Sequence, residues 1–448
     1  MNAADEEYGS LNGRAAGQDR VIRRLNSIEA SLSFRLGKLL VISVKRPWNI
    51  LLLPITLPIL FSRYLGERMG RFEQQKTDPV SIKSDQKNRN CVVLFPTNGV
   101  GMGHYSRMFA LAKSMKLMDP KLEIVFFTTN YVLHPLYREG FTSYHLPNRN
   151  KFDKMGASTW NLQCEEMLAN VFSVHKPSLF VFDGAFPYRG MLNAIKNRDT
   201  VHKAWVRRIQ KPGKDKTPIE AYNHFDRIIV PGDLLEPDMN DLTRWPVEEI
   251  NLTPPLLSIS RDDLYQRGVL RERIGIPNDS KVALISLGAG SINDIENMRD
   301  YVVKNLTKKG IYVIIADSML NPMKKRYDNP LVRIVQEFPI MRYRNCFDFA
   351  VMAAGYNSIH EMILLRLPSV IIPNKETQRD DQLGRATKAI FGNKGIIIDI
   401  AEYDIIDLAL ERISDDDVRK SISKNLIENV VEDGAKVLSE TLLRLQNR

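Results

Sequence analysis

The chain has 448 residues, 44% hydrophobic and 26% charged, with a formal net charge of +10. That length makes two domains the natural prior, and that balance excludes a disordered or fibrous chain. The three cysteines, Cys91, Cys164 and Cys346, fall in no CxxC or zinc spacing, which argues against a disulfide framework and fits a reducing cytosol.

The charge is uneven. Residues 1–90 hold 15 Lys/Arg against 9 Asp/Glu. A basic protein invites a nucleic-acid reading, but the apolar content beside these charges points to a membrane surface. Residues 1–20 are polar and read as disordered. Arg20 to Leu40 has helical spacing, with Val21, Leu25, Ile28, Leu32 and Leu36 recurring and arginines between them. Lys45–Arg63 reads KRPWNILLLPITLPILFSR. Its apolar run, Trp48–Phe61, is too short for a spanning helix, which needs about 20 residues, and Pro54 and Pro58 interrupt it. It starts too late for a signal peptide and has no cleavage site. Trp48 and Tyr64 at its ends, with Lys45, Arg46, Arg63, Arg68 and Arg71 around it, fit a basic, amphipathic in-plane anchor. The alternative is a hairpin packed on the folded body. A polar linker follows to residue 90.

Cys91–Pro96 is an apolar strand running into TNGVGMGHYSR. Helical spacing resumes at Met108. Lys121–Phe127 is a second strand, Gly140–His145 leads into a third, and Ser178–Phe182 is a strand ending at Asp183. Ala204–Ile209 and Arg227–Val230 are two more, with helices at His134–Glu139 and Cys164–Val174. This alternation predicts a parallel, doubly wound sheet. Asn251–Ser258, with Pro254-Pro255, reads as a linker. The pattern then restarts with a helix over Asp262–Ile274 and a strand, Lys281–Leu287, meeting Gly288-Ala289-Gly290-Ser291. Helix Asp294–Lys308 and strands Ile311–Ala316, Val332–Val335, Phe347–Ala353, Ser369–Ile372 and Ile396–Ile398 follow. Two helices end the chain, one capped near Ser414–Asp417. The expected architecture is α/β, two Rossmann-like doubly wound domains at 91–255 and 256–448, behind the 1–90 extension.

Three stretches carry chemistry. In Gly99-Val100-Gly101-Met102-Gly103-His104, alternate glycines let a backbone approach a ligand or a partner helix closely. The third glycine comes one residue early for a dinucleotide fingerprint. The next strand also ends in Thr128-Thr129-Asn130, without the acid that grips ribose, so a dehydrogenase is disfavoured. His104 stands at a helix start, as a proton acceptor for an incoming hydroxyl or as a packing histidine. Gly288, Gly290 and Ser291 form a phosphate turn or a plain βα turn; no GK[ST] follows, so it is no P-loop. Gly355, Asn357, Ser358 and Glu361 open a helix, where free N–H groups suit a phosphate. Ser358-x-x-Glu361 reads equally as a capping box and as a ribose-binding carboxylate. Asp381 and Gln382 bind sugar hydroxyls or start a polar helix. No metal site is expected, since no strand-end carboxylate cluster and no HxxxH or HExxH spacing is present.

These patterns resemble the GT-B glycosyltransferases, in the branch of the peptidoglycan N-acetylglucosaminyltransferase and its capsule and exopolysaccharide relatives. The resemblance rests on Gly99 to His104, on Gly355-x-x-Ser358-x-x-Glu361, on Leu367-Pro368-Ser369-Val370-Ile371-Ile372-Pro373, and on Asp381-Gln382. It departs at Ala354, where a second glycine is usual, and at Arg366-Leu367, where a glycine precedes the proline. The resemblance implies two domains facing across a cleft and a UDP-sugar donor as co-substrate, with no cofactor. Gly288–Ser291 and Gly355–Ser358 would hold the diphosphate, Glu361 the ribose, and Asp381-Gln382 the sugar. Gly99, Gly101, Gly103 and His104, the candidate base, would face the acceptor. It implies inverting, metal-independent transfer to a lipid-linked or glycan acceptor in cell-surface polysaccharide synthesis. Such an enzyme would be cytoplasmic, peripheral on the inner face of the cell membrane, with no nucleic-acid partner. The alternatives on the same fold are a UDP-sugar 2-epimerase and a membrane-recruited, non-catalytic subunit.

Overall fold

The computed structural model describes residues 31–45, 47–68, 88–97, 101–208, 210–211, 217–235, 245, 249–288, 295–320, 327–377, 380–399, 402–427 and 432–446. The chain divides into two units, Met1–Asp85 and Gln86–Arg448. In the first, helix α1 (Leu32–Lys45), a 3-10 turn (Pro47–Leu52) and helix α2 (Leu53–Arg68) follow one another. The expected helix over Arg20–Leu40 is seen only from Leu32, and its earlier part lies outside the described residues. Pro58 sits inside α2. No described helix is long and apolar enough to cross a membrane.

The second unit holds two parallel sheets. Strands β1 (Arg89–Pro96), β2 (Glu123–Thr128), β3 (Thr142–His145), β4 (Pro177–Asp183), β5 (His202–Val206), β6 (Arg227–Pro231) and β7 (Glu249–Thr253) form the first, in the order β3-β2-β1-β4-β5-β6-β7. Strands β8 (Val282–Ser286), β9 (Tyr312–Ala316), β10 (Val332–Val335), β11 (Phe349–Ala353), β12 (Ser369–Ile372) and β13 (Ile396–Ile397) form the second, in the order β10-β9-β8-β11-β12-β13. The helices are α3 (Gly103–Met118), α4 (His134–Arg138), α5 (Ala157–His175), α6 (Arg189–Ile195), α7 (Arg267–Arg273), α8 (Ile295–Lys308), α9 (Tyr356–Leu364), α10 (Gln382–Ile390), α11 (Tyr403–Ser414), α12 (Asp416–Ile427) and α13 (Gly434–Gln446).

The apolar runs are continuous because both sheet faces are covered. In β1, Cys91, Val93 and Phe95 face a core with Trp160, Leu168 and Phe172 of α5. Val92 and Leu94 face the other core, with Met108 and Leu111 of α3. Val282–Ile285 and Phe349–Met352 anchor the core of the second sheet.

Three expectations need correction. Residues 249–253 belong to an edge strand of the first sheet, so the linker begins after Thr253; five residues of EINLT were too short and mixed to read. The helix expected over Asp262–Ile274 is a 3-10 turn (Arg261–Asp263) and the short α7. Three helices close the chain rather than two. The last, α13, packs Ala435, Leu438 and Leu442 into the core that α3 covers on the first sheet.

Candidate functional site

In an open parallel sheet, a crevice forms where the strand order reverses, at the carboxyl ends of the strands. The first sheet reverses between β1 and β4, the second between β8 and β11. His104 follows β1 and Asp183 ends β4. Gly288 follows β8 and Gly355 follows β11. The two sheets therefore place the turns that carry His104, Asp183, Gly288 and Gly355 at their reversal points.

His104 lies in the first turn of α3, and its Nδ1 is 2.7 Å from Asp183 Oδ1. Arg107, one turn further, donates Nε to Asp183 Oδ2 at 2.9 Å and Nη2 to Oδ1 at 2.8 Å. The Asp183 and Arg107 side chains are 1% and 2% exposed, whereas that of His104 is 24% exposed. The polar pair is thus sealed beneath a histidine that reaches solvent. Burial pushes the Asp183 pKa up, but Arg107 and His104 outweigh it and hold the carboxyl below its ordinary value. An ionised carboxylate only accepts, so in the neutral imidazole the proton sits on Nδ1, toward Asp183, and the lone pair on Nε2. Arg107 Nη2 also lies 2.8 Å from Nδ1, with its hydrogen taken by the carboxylate.

Gly101 and Gly103 have no backbone or packed side chain where a Cβ would stand; the nearest atom at Gly103 is Arg107 Nη1 at 3.9 Å. Among the described residues no partner helix fills that space, which leaves room for a ligand. Gly99, Gly290 and Ser291 lie outside the described residues. Gly288 has φ +90°, a turn only glycine makes without strain.

Helix α9 begins at Tyr356, with Gly355 as its N-cap and no side-chain capping bond. Ser358 therefore stands inside the first turn, and the capping-box expectation does not hold. Gly355 is itself extended (φ −62°, ψ 153°), so the chain enters the helix three residues earlier than Ser358 would have set it. The first-turn N–H groups keep no side-chain acceptor, which suits an anion. Asn357 Oδ1 is buried there with no hydrogen-bond partner among the described residues. Among the described residues, Glu361 meets the Ser258 hydroxyl alone, at 3.5 Å. The residue keeps some solvent contact, but the protein crowds its carboxyl. That burial raises its pKa to about 7, against a small opposing pull from Ser258.

Asp381 and Gln382 carry structural work. Asp381 caps α10, accepting from Gly384 N at 3.2 Å, and Gln382 Oε1 accepts from Asn374 N at 3.0 Å. The helix that they open runs from Gln382 to Ile390.

Between the halves runs a network that the sequence reading did not find. Arg385 of α10 is 1% exposed and grips Asp233, just past β6, through Nε at 2.9 Å and Nη2 at 2.8 Å. Its Nη2 also meets Asp380 at 2.7 Å, and Arg208, just past β5, meets the same Asp380 oxygen at 2.7 Å. Tyr356 donates to Gly232 O at 2.9 Å. The guanidinium of Arg208 lies 4.6 Å from its ring centre and that of Arg107 5.5 Å. Tyr356 thus joins the His104 cluster to the helix start at Gly355. Asp183 was legible as an acid ending the apolar run PSLFVF; Arg107, Arg208 and Arg385 had no local signal.

Away from this site, Cys91, Glu123 and His175 bring potential ligand atoms within 4.8 Å of one another. Glu123 is already bound to His175 at 2.6 Å and Arg89 at 3.1 Å, and burial pushes the Cys91 thiol up to about 12. A protonated thiol is a poor ligand.

No family model matches the chain. Over 225 residues it is 24% identical to the UDP-N-acetylglucosamine--N-acetylmuramyl-(pentapeptide) pyrophosphoryl-undecaprenol N-acetylglucosamine transferase of Bacteroides thetaiotaomicron, 45% of this chain and 57% of that one. The chain thus matches little more than half the length of that relative. Among solved structures, Os79 from O. sativa in complex with UDP superposes with a TM-score of 0.56 at 15% identity, over 79% of this chain and all of that one. A UDP-N-acetylglucosamine 2-epimerase superposes with a TM-score of 0.53 at 14% identity, over 81% and 98%. The chain has the GT-B fold, and its sequence resembles the branch of GT-B glycosyltransferases that holds the peptidoglycan N-acetylglucosaminyltransferase.

Proposed function

We propose that the chain is an inverting, metal-independent glycosyltransferase that moves a sugar from a UDP-sugar to a lipid-linked glycan. The observation that carries this reading is the reach of Tyr356 between the His104–Asp183 pair and the uncapped start of α9. A base and an anion cradle then face one space. The acceptor hydroxyl gives its proton to His104 Nε2, and its oxygen attacks the anomeric carbon. The bond from that carbon to the diphosphate oxygen breaks on the opposite face, and UDP leaves with the electron pair. First-turn N–H groups of α9 and the Gly288 turn stabilise the departing charge. Glu361 accepts from ribose hydroxyls, which gives its poorly bonded carboxyl the donors it lacks.

The lipid-linked acceptor is supported by the relative named above, whose name includes a pyrophosphoryl-undecaprenol substrate. It is also supported by the apolar surface of the first unit, where Val44, Trp48, Leu51 and Ile55 are 60–80% exposed in the same stretch of chain as the exposed Lys45. Basic residues near an anionic leaflet gain on the order of 1 kcal/mol each, so that unit is read as the membrane contact on the cytoplasmic face.

The test is a panel of UDP-sugars scored by thermal stabilisation, followed by turnover with a lipid-linked acceptor. Stabilisation by a UDP-sugar, with UDP release that depends on acceptor and is lost in His104→Ala, is expected. An epimer formed from UDP-GlcNAc alone would replace this reading by a 2-epimerase. Unchanged turnover in His104→Ala would remove its role as base. Unchanged vesicle binding after deletion of residues 1–90 would remove the membrane role.

A further inference from the structure

An open pocket of about 610 Å³ lies at the amino ends of β11 and β12 in the second sheet. Phe347 and Asp348 of its wall directly precede β11, and Arg366 and Pro368 precede β12; α12 closes the other side. The proposed donor site is at the carboxyl ends of these strands. The two are a strand length apart, roughly 15 Å at about 3.3 Å per residue.

Six cationic side chains line the cavity, Arg267, Arg344, Arg366, Arg419, Lys420 and Lys424, against two carboxylates, Asp348 and Asp416. Both carboxylates are already engaged. Asp348 pairs with Arg267 at 3.0 Å and Arg271 at 3.3 Å and accepts from Val282 N at 2.8 Å. Asp416 pairs with Arg419 and, at 3.1 Å, with Lys281. Lys420 reaches out to Asp417 at 3.2 Å. Arg344, Arg366 and Lys424 have no carboxylate partner among the described residues.

Arg344 is held in the wall by the carbonyls of Leu365, Phe347 and Arg366, at 3.0, 2.8 and 2.8 Å. Burial pushes its pKa down to about 10; Asp348 opposes this and Arg267 adds to it. Arg366 Nε is buried with no hydrogen-bond partner among the described residues. A solvated basic face would account for Lys420 and Lys424. It would not account for a guanidinium sunk into a wall with three backbone carbonyls as its partners and no carboxylate in direct contact, an arrangement that an incoming anion would stabilise. Guanidinium forks match phosphate oxygens, and Phe347, Pro368 and Ile427 offer apolar wall beside them.

The geometry points to an anion site here, for a phosphate monoester or diphosphate carried by a soluble molecule or by a lipid headgroup. It stands independently of the proposed transferase activity. The test titrates the full-length chain with inorganic pyrophosphate by calorimetry. Wild type is expected to bind, and Lys420→Glu/Lys424→Glu to bind about tenfold more weakly or worse, a change of about 1.4 kcal/mol. The same reversal on α8, Lys304→Glu/Lys308→Glu, is expected to change little. Arg366→Gly removes one fork at a backbone position that suits glycine, so it keeps the fold and should also weaken binding. Sedimentation with phosphatidylglycerol or phosphatidylcholine vesicles separates the sources. Loss of phosphatidylglycerol binding in the pocket variants assigns the headgroup, and loss of pyrophosphate binding alone assigns a soluble phosphate. The site is overturned if wild type binds neither probe, or if the pocket variants bind both as wild type does. UDP titrations of the same variants read the donor site separately.

Discussion

His104 and Asp183 come from different turns, 79 residues apart, and meet at 2.7 Å over an arginine that is itself buried. The arrangement fixes the imidazole tautomer and keeps the carboxylate ionised. Asp183→Asn is expected to lower sugar transfer by about 10²–10⁴-fold, the range for losing a positioned proton acceptor. It also leaves Arg107 without its counter-charge and should cost about 3–5 kcal/mol of stability. Turnover measured with chemical denaturation on the same sample separates the two effects. Near-normal turnover in a folded variant would contradict the pair's role.

Glu361 links stability to pH. Its folded pKa, about 7, lies above the ordinary carboxyl value, so the folded state holds the proton more tightly than the unfolded one. That stabilisation is complete below about 4.5 and is lost as pH rises through about 7. Glu361→Gln removes the burden of ionising in the folded chain. The variant is expected to match wild type near pH 4.5 and to exceed it above pH 7, by at most about 3 kcal/mol. Ribose hydroxyls favour the charged form, so UDP binding should release a proton near pH 6–7 and strengthen as pH rises. Melting curves across pH, with and without UDP, check both signs.

Arg385 holds Asp233 and Asp380 together between the halves. Arg385→Met should destabilise by about 3–5 kcal/mol, because among the described residues Asp233 then keeps the Leu234 N–H at 2.8 Å and, more distantly, His360 at 3.4 Å and Arg208 at 3.6 Å. Burial opposes ionisation of Asp233 and Asp380, yet their hydrogen bonds and the nearby guanidinium groups hold both below the usual carboxylate range. Their contribution is therefore complete above about pH 3.8 and fades below it. The gap between variant and wild type in urea melts should shrink as pH falls through that range.

The strand–turn–helix rhythm of both sheets was readable because every central strand is buried on both faces and leaves an unbroken apolar run. Edge strand β7 carries no such run and was taken for linker. At the candidate site, the turns at Gly103, Gly288 and Gly355 and the place of Glu361 one helical turn on could be read because they depend on local spacing. Arg107, Arg208, Asp233 and Arg385 could not, because each is defined by a partner dozens of residues away in another turn. Ser358 shows the opposite limit. A capping-box spacing was present, but the glycine before it let the helix start earlier.

Arg366 sits at φ +52°, one residue past the α9 C-cap, where the family resemblance led us to expect a glycine. A side chain in that region is strained, and glycine is not. Arg366→Gly is expected to raise stability by about 0.5–1 kcal/mol, read as a higher midpoint in urea with an unchanged slope. Arg344 Nη2 bonds the carbonyl of residue 366, which the substitution retains.

Gly434, the first residue of α13, opposes the usual rule. Glycine to alanine in a helix ordinarily gains up to about 1 kcal/mol. Here an added Cβ would stand 2.1 Å from the Pro254 carbonyl oxygen and 2.6 Å from that of Pro255, both backbone atoms of the segment joining the two sheets. Real Cβ atoms do not approach so closely, so the helix start or the linker must move, and overpacking costs about 1–3 kcal/mol. The steric term wins, and Gly434→Ala should lower stability by about 1–2 kcal/mol. Because Leu438 and Leu442 of the same helix seal a core of the first sheet, the loss should also expose α13 amides to faster hydrogen exchange than those of α8. A stabilised variant would mean that α13 enters without the close crossing at Pro254.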